Sequence, residues 1–218
     1  TTFGHEPRYS SEYMGLRGRL AILSEAYSYL PYRDRIAAHR EFITETLNVT
    51  ASHHAGVLKL LKQATASPPQ RQSIRAKNGP YPGKVTILGY RDKQKGEQDA
   101  GLEPQDYRLS HYANFETTLE VKRPFAYLMG TEHGRVAQRL LWHGVELHQL
   151  TEQQDVPLDQ SLVTKINKAK SAFQGHRTTS LEVTRESATQ TIPVGTYVIY
   201  SGQPLAPLIT YLLEPRSD

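Results

Sequence analysis

Apolar and polar positions change rhythm several times along these 218 residues, and each change predicts an element. Near the start, Leu20-Ala21-Ile22-Leu23 is a short apolar run that stops at Ser24-Glu25. A run of this length reads as a strand buried on both faces of a parallel sheet, and a helix is predicted after it. Ligands of such sheets gather beyond the carboxyl ends of the strands, so Glu25 stands where a catalytic acid or base would stand. Leu30-Pro31-Tyr32 opens the next element, with proline suited to a first helical turn. Ile36, Ile43 and Leu47 then recur at helical spacing and leave Arg35, Arg40, Glu41 and Glu45 outside, as in an amphipathic helix. Asn48-Val49-Thr50 is a candidate interruption, after which Val57, Leu60, Leu61 and Ala64 continue the apolar face.

Residues 67–83 hold Pro68, Pro69, Gly79, Pro80, Pro82 and Gly83 and mark the clearest boundary in the chain. Val85 to Tyr90 reads as a strand, and the polar stretch from Arg91 to Ser110 as a long loop. Phe115, Thr117, Leu119 and Val121 alternate with Glu116, Thr118, Glu120 and Lys122, the pattern of a half-buried strand. Pro124 ends it, and Phe125 to Met129 forms a second, more buried strand. Thr131 is a candidate cap for a helix through Val136, Leu140 and Leu141 that stops near Gly144. Short strands follow at Val145–Leu150, Leu162–Lys170 and Thr178–Thr184. A turn at Thr191–Thr196 leads into the β-prone run Tyr197–Tyr200, and a short helix over Pro204–Leu213 comes last. This second half reads as a small α/β domain with a mixed sheet.

Composition narrows the chemistry. The chain has no cysteine, which excludes disulfides, thiolate metal sites and cysteine nucleophiles. Lys and Arg number 26 against 22 Asp and Glu, a formal charge of +4 spread along the chain and not gathered in a basic arm. The densest basic patch, Arg71, Arg75, Lys77 and Lys84, reads as a solvated linker, so no nucleic-acid partner is expected. No apolar run approaches the roughly 18 residues of a membrane helix, and no membrane partner is expected. Phosphate loops, nucleophile elbows and dinucleotide fingerprints are absent. His143-Gly144-Val145-Glu146 matches His-x-x-Glu as a string, but it follows Glu25 and only His148 and His176 lie beyond it. It reads as coincidence, and no metal site is assigned. His53-His54 reads as surface or partial core. Most of the 13 tyrosines read as core or interface residues.

Two stretches carry a resemblance. Pro7-Arg8-Tyr9, Tyr13-Met14-Gly15-Leu16-Arg17-Gly18-Arg19 and Leu23-Ser24-Glu25-Ala26-Tyr27-Ser28-Tyr29 resemble the end of the catalytic domain of bacterial zinc carboxypeptidases, in the superfamily of pancreatic carboxypeptidase A. Gly195-Thr196-Tyr197-Val198, Gln203-Pro204-Leu205 and Tyr211-Leu212-Leu213-Glu214-Pro215 resemble the carboxyl-terminal extension of some of those enzymes. The resemblance implies an α/β fold. Residues 1–66 would be the end of a zinc-carboxypeptidase-type domain, and 67–218 a small mixed α/β accessory domain. It implies Glu25 as general base, taking a proton from zinc-activated water and delivering it to the leaving amine. Tyr9 or Tyr13 would contact the peptide substrate, and Arg8, Arg17 and Arg19 are either carboxylate ligands or solvated charges.

The family binds its zinc through His-x-x-Glu and a later histidine, all upstream of the glutamate. Only 24 residues precede Glu25, with His5 the sole histidine among them. The ligands are therefore expected before residue 1, the zinc in a parent enzyme, and this chain alone without metal or activity. The family also points to a periplasmic or secreted location. The competing expectation is a non-catalytic binding or assembly module, whose β-rich accessory domain pairs with a partner or with a second copy in a homo-oligomer.

Overall fold

The computed structural model describes residues 4–26, 28, 30–91 and 103–217. Among them the chain is mixed α/β, with five α-helices and small sheets that are antiparallel throughout. The helices are α1 (Ser10–Leu16), α2 (Tyr32–Ser52), α3 (His54–Ala66), α4 (Gly134–Trp142) and α5 (Ala206–Leu213). The strands are β1 (Arg71–Gly79), β2 (Lys84–Tyr90), β3 (Pro104–Ser110), β4 (Asn114–Lys122), β5 (Ala126–Met129), β6 (His148–Gln149), β7 (Gln154–Lys168), β8 (Thr179–Ile192) and β9 (Tyr197–Tyr200).

The core lies in the carboxyl-terminal half. β9 is the middle strand of the sheet β5-β9-β6, and Ile199 at its heart is fully buried with Leu140 of α4, Val145 and Ile209 of α5. Tyr127, Met129, Leu147, Tyr197, Leu205 and Leu213 close around them. Gly144, at φ +85°, stops α4. Its N–H donates to Leu141 O at 2.9 Å, while Val145 N–H donates to Leu140 O at 3.1 Å. This is a Schellman ending, and the accompanying apolar contact is made by Leu140 and Val145 inside the core. Buried Glu214 accepts from the Tyr127 hydroxyl at 3.2 Å and from Arg185 of β8 at 2.6 Å, which pins the middle of the β7–β8 hairpin to the end of α5.

Of the basic stretch expected as a linker, Lys84 opens β2, while Arg71, Arg75 and Lys77 lie on β1. Strand β1 pairs with β4, and the ion pairs Arg71–Glu120 (2.6 Å) and Lys77–Glu116 (3.2 Å) cross between them. Ile74 is fully buried, and Gln72 Nε2 donates to Pro207 O of α5 at 2.7 Å. Part of the expected loop is likewise a strand, β3, paired along its length with β2; the rest of that expectation, 92–102, lies outside the described residues. β7 and β8 are far longer than predicted and form a ribbon that runs from Gln154–Ile192 to Lys168–Thr179. The second half was expected to hold a mixed sheet, but every described pairing there is antiparallel.

The start of the chain departs further from expectation. Residues 19–26 form no strand, and Leu20, Ile22 and Leu23 are exposed by 67, 65 and 56%. The next helix begins at Tyr32, not directly after Glu25, and Tyr27 and Tyr29 of the resemblance lie outside the described residues. The helical interruption falls at His53, not at Asn48–Thr50, and neither α2 nor α3 buries a residue. Helix α1, assigned by sequence to the first domain, packs on α5 of the second.

Candidate functional site

Glu25 sits in the irregular segment 19–26, and its side chain is exposed. The segment is held at one point, where Ser24 Oγ and His39 Nδ1 of α2 lie 2.8 Å apart. The adjoining Leu20-Ala21-Ile22-Leu23 run has no strand partner among the described residues. No described hydrogen bond or ion pair engages Glu25, so its carboxylate is free to meet a ligand or water.

Tyr9 forms the amino-terminal boundary of α1, and Tyr13 lies one turn along it. The structure turns Tyr13 toward a partner 130 residues away: its hydroxyl is 2.8 Å from His143 Nδ1. Arg17, one turn further on, donates to the Tyr13 hydroxyl at 3.1 Å and to the His143 carbonyl at 2.8 Å. The three groups explain one another. The Tyr13 oxygen accepts from Arg17, and the Tyr13 hydroxyl and His143 Nδ1 share one proton between them. Burial, and then the neighbouring guanidinium, hold the His143 pKa below its ordinary value. This assembly staples α1 to the end of α4. It was not legible in the sequence, where nothing links positions 13 and 143.

The same geometry engages part of the His-x-x-Glu string. His143 and Gly144 belong to the Schellman ending, His143 Nδ1 is taken by Tyr13, and the Glu146 backbone N–H donates to Gln203 Oε1 at 2.8 Å. Among the described residues no group of three or more His, Asp or Glu side chains could hold a metal ion. His53 and His54 lie within hydrogen-bonding distance of the Val49 and Ala51 carbonyls, at 3.0 and 2.9 Å, and are local features of the helix break.

Arg8 and Arg17, which the sequence left between carboxylate ligand and solvated charge, are both engaged. Arg17 belongs to the staple. Arg8 pairs with Glu6 at 3.3 Å and lies 5.2 Å over the ring of Phe173 at the tip of the β7–β8 hairpin. A contact between residues so distant in sequence had no signal in periodicity or spacing. Compared with known proteins, the chain matches no family model, and neither a curated protein nor a solved structure matches it.

Proposed function

We propose that the chain is the carboxyl-terminal portion of a zinc-dependent metallocarboxypeptidase, with Glu25 as its general base. The observation that carries the reading is the pairing of an uncovered apolar segment, Leu20–Leu23, with an unengaged carboxylate two residues later. An apolar run exposed by more than half its area favours burial against further polypeptide. A strand of a larger sheet, with Glu25 at its end, is the arrangement that would supply it. On this reading the zinc is held by chain outside these 218 residues, and zinc would activate the attacking water. Glu25 would accept a proton from water and return it to the leaving amine, a role suited to a carboxylate with no competing partner. The Ser24–His39 contact would hold the segment, and Tyr9 or Tyr13 would line the peptide's path.

The test is hydrolysis by the full-length polypeptide that contains this chain. It should release carboxyl-terminal residues from a blocked dipeptide in a zinc-dependent manner, while the 218-residue chain alone is inactive. Glu25→Gln should lower kcat by roughly 100-fold or more, the lower end of what general-base catalysis contributes. Full activity in Glu25→Gln would remove the reading. A second reading, a binding or assembly module, is favoured by α2 and α3, which expose Ile36, Phe42, Ile43, Leu47 and Leu58.

A further inference from the structure

The β7–β8 ribbon ends in a tight turn. Phe173 N–H donates to His176 O at 2.8 Å and His176 N–H to Phe173 O at 3.0 Å. Gln174 and Gly175 between them take φ +49° and +82°, the two left-handed residues of a type I′ hairpin turn. From Lys165 to Arg177 the sequence carries Lys165, Lys168, Lys170, His176 and Arg177, and no Asp or Glu. Lys165 is matched by Glu182 of the facing strand at 3.0 Å. Lys168, Lys170 and Arg177 have no ion pair with a described residue, so a formal charge of +3 is gathered at one end of a ribbon in a chain whose total is +4.

This tip meets residues 6–8, and a cleft of about 540 Å³ opens between them, lined by Glu6, Arg8, Phe173, His176, Arg177 and Thr178 among others. Within it Arg8 is already balanced by Glu6 and seated on the Phe173 ring. Arg177 is the unspent cation.

We propose that this cleft binds an acidic peptide, with an Asp or Glu carboxylate held by the Arg177 guanidinium. The fork of an arginine matches a carboxylate with two parallel hydrogen bonds. Phe173, exposed at the tip, offers an apolar surface to the side-chain stem. One feature favours peptide over nucleic acid: single-stranded nucleic acid needs successive aromatic platforms, whereas the cleft has one phenyl ring, with Arg8 over it. The proposal rests on the hydrolase reading in one respect, by naming acidic peptides as that enzyme's substrate class; Arg8 leads directly into Tyr9 at the start of α1.

Binding is tested on the 218-residue chain itself, by calorimetry at low salt with acetyl-tetraglutamate amide. The controls are the corresponding tetraglutamine peptide and a short oligothymidylate. The Glu peptide should bind, the Gln peptide should not, and Arg177→Ala should weaken binding roughly tenfold, the loss of a charged hydrogen-bonded contact. Arg177 is exposed and unpaired, so the substitution should leave Tm unchanged, and Lys84→Ala on β2 should leave affinity unchanged. Backbone amide shifts confined to 173–179 and 6–9 would locate the peptide independently of any variant. Absence of binding, equal affinity for the Gln peptide, equal loss in Lys84→Ala, or tighter binding of the oligothymidylate would each overturn the proposal. The two readings fail separately. Hydrolysis by the full-length protein without Glu-peptide binding removes the cleft alone, and binding without hydrolysis removes the enzyme alone.

Discussion

At Gly144 the backbone sits at φ +85°, in the left-handed region, and a side chain there would be strained even though space exists for it. A Cβ at this position would meet nothing closer than Leu205 Cδ1 at 3.9 Å, an ordinary contact. The cost of Gly144→Ala is therefore conformational, about 1–2 kcal/mol, and it falls on the turn that delivers Val145 to the core. Gly56 in α3 is the opposite case: its surroundings are open and its backbone helical, so Gly56→Ala should stabilise by about 0.5–1 kcal/mol. Urea unfolding of the two variants checks both signs at once. The stop at Gly144 was legible in the sequence because a glycine after an apolar periodic run has a single common use. Ile74 was not legible. It is an isolated apolar residue between glutamine, serine and arginine, it is completely buried, and the strand that carries it packs on α5, more than a hundred residues away.

Among the elements, α1 is held to the body of the chain by the Tyr13–His143–Arg17 staple, and that attachment carries a pH dependence. His143 in the docked state has a pKa below its ordinary value of about 6.5. Above that value both docked and undocked forms are neutral and the attachment is at full strength. As pH falls through it the undocked form takes up a proton first, so docking weakens on the acid side. Amide shifts of α1 recorded between pH 8 and pH 5 should report this release. The dependence should vanish in His143→Gln, and its persistence there would assign it to another group. The β7–β8 ribbon shows why strand length escaped the sequence. With Leu162, Val163 and Ile166 all exposed, no alternation of burial marks the outer half of the ribbon. Leu20–Leu23 failed in the other direction. The pattern reported that a segment needs covering, and within this chain no described strand covers it. In the candidate site, Glu25 was legible because an apolar run points to it. His143 and Arg177 were not, because their partners lie on remote segments.

Across the described residues, many large apolar side chains stand exposed to solvent. Much of the exposed apolar surface lies on residues 19–23, α2 and α3, which contribute nothing to the core. The isolated chain is accordingly expected to associate with itself. Light scattering should show this, and Leu20→Asp with Ile22→Asp should reduce it without lowering Tm. A strict monomer at high concentration would refute the expectation. The placement of β9 has a consequence for biosynthesis. β9 separates β5 from β6, and with α5 it supplies Ile199 and Ile209, so the ribosome releases these pieces after every other member of the core has been made. At about 5–20 residues per second, the nascent chain carries α4 and β5 uncovered for several seconds, and in that interval a chaperone or an aggregate would compete for them.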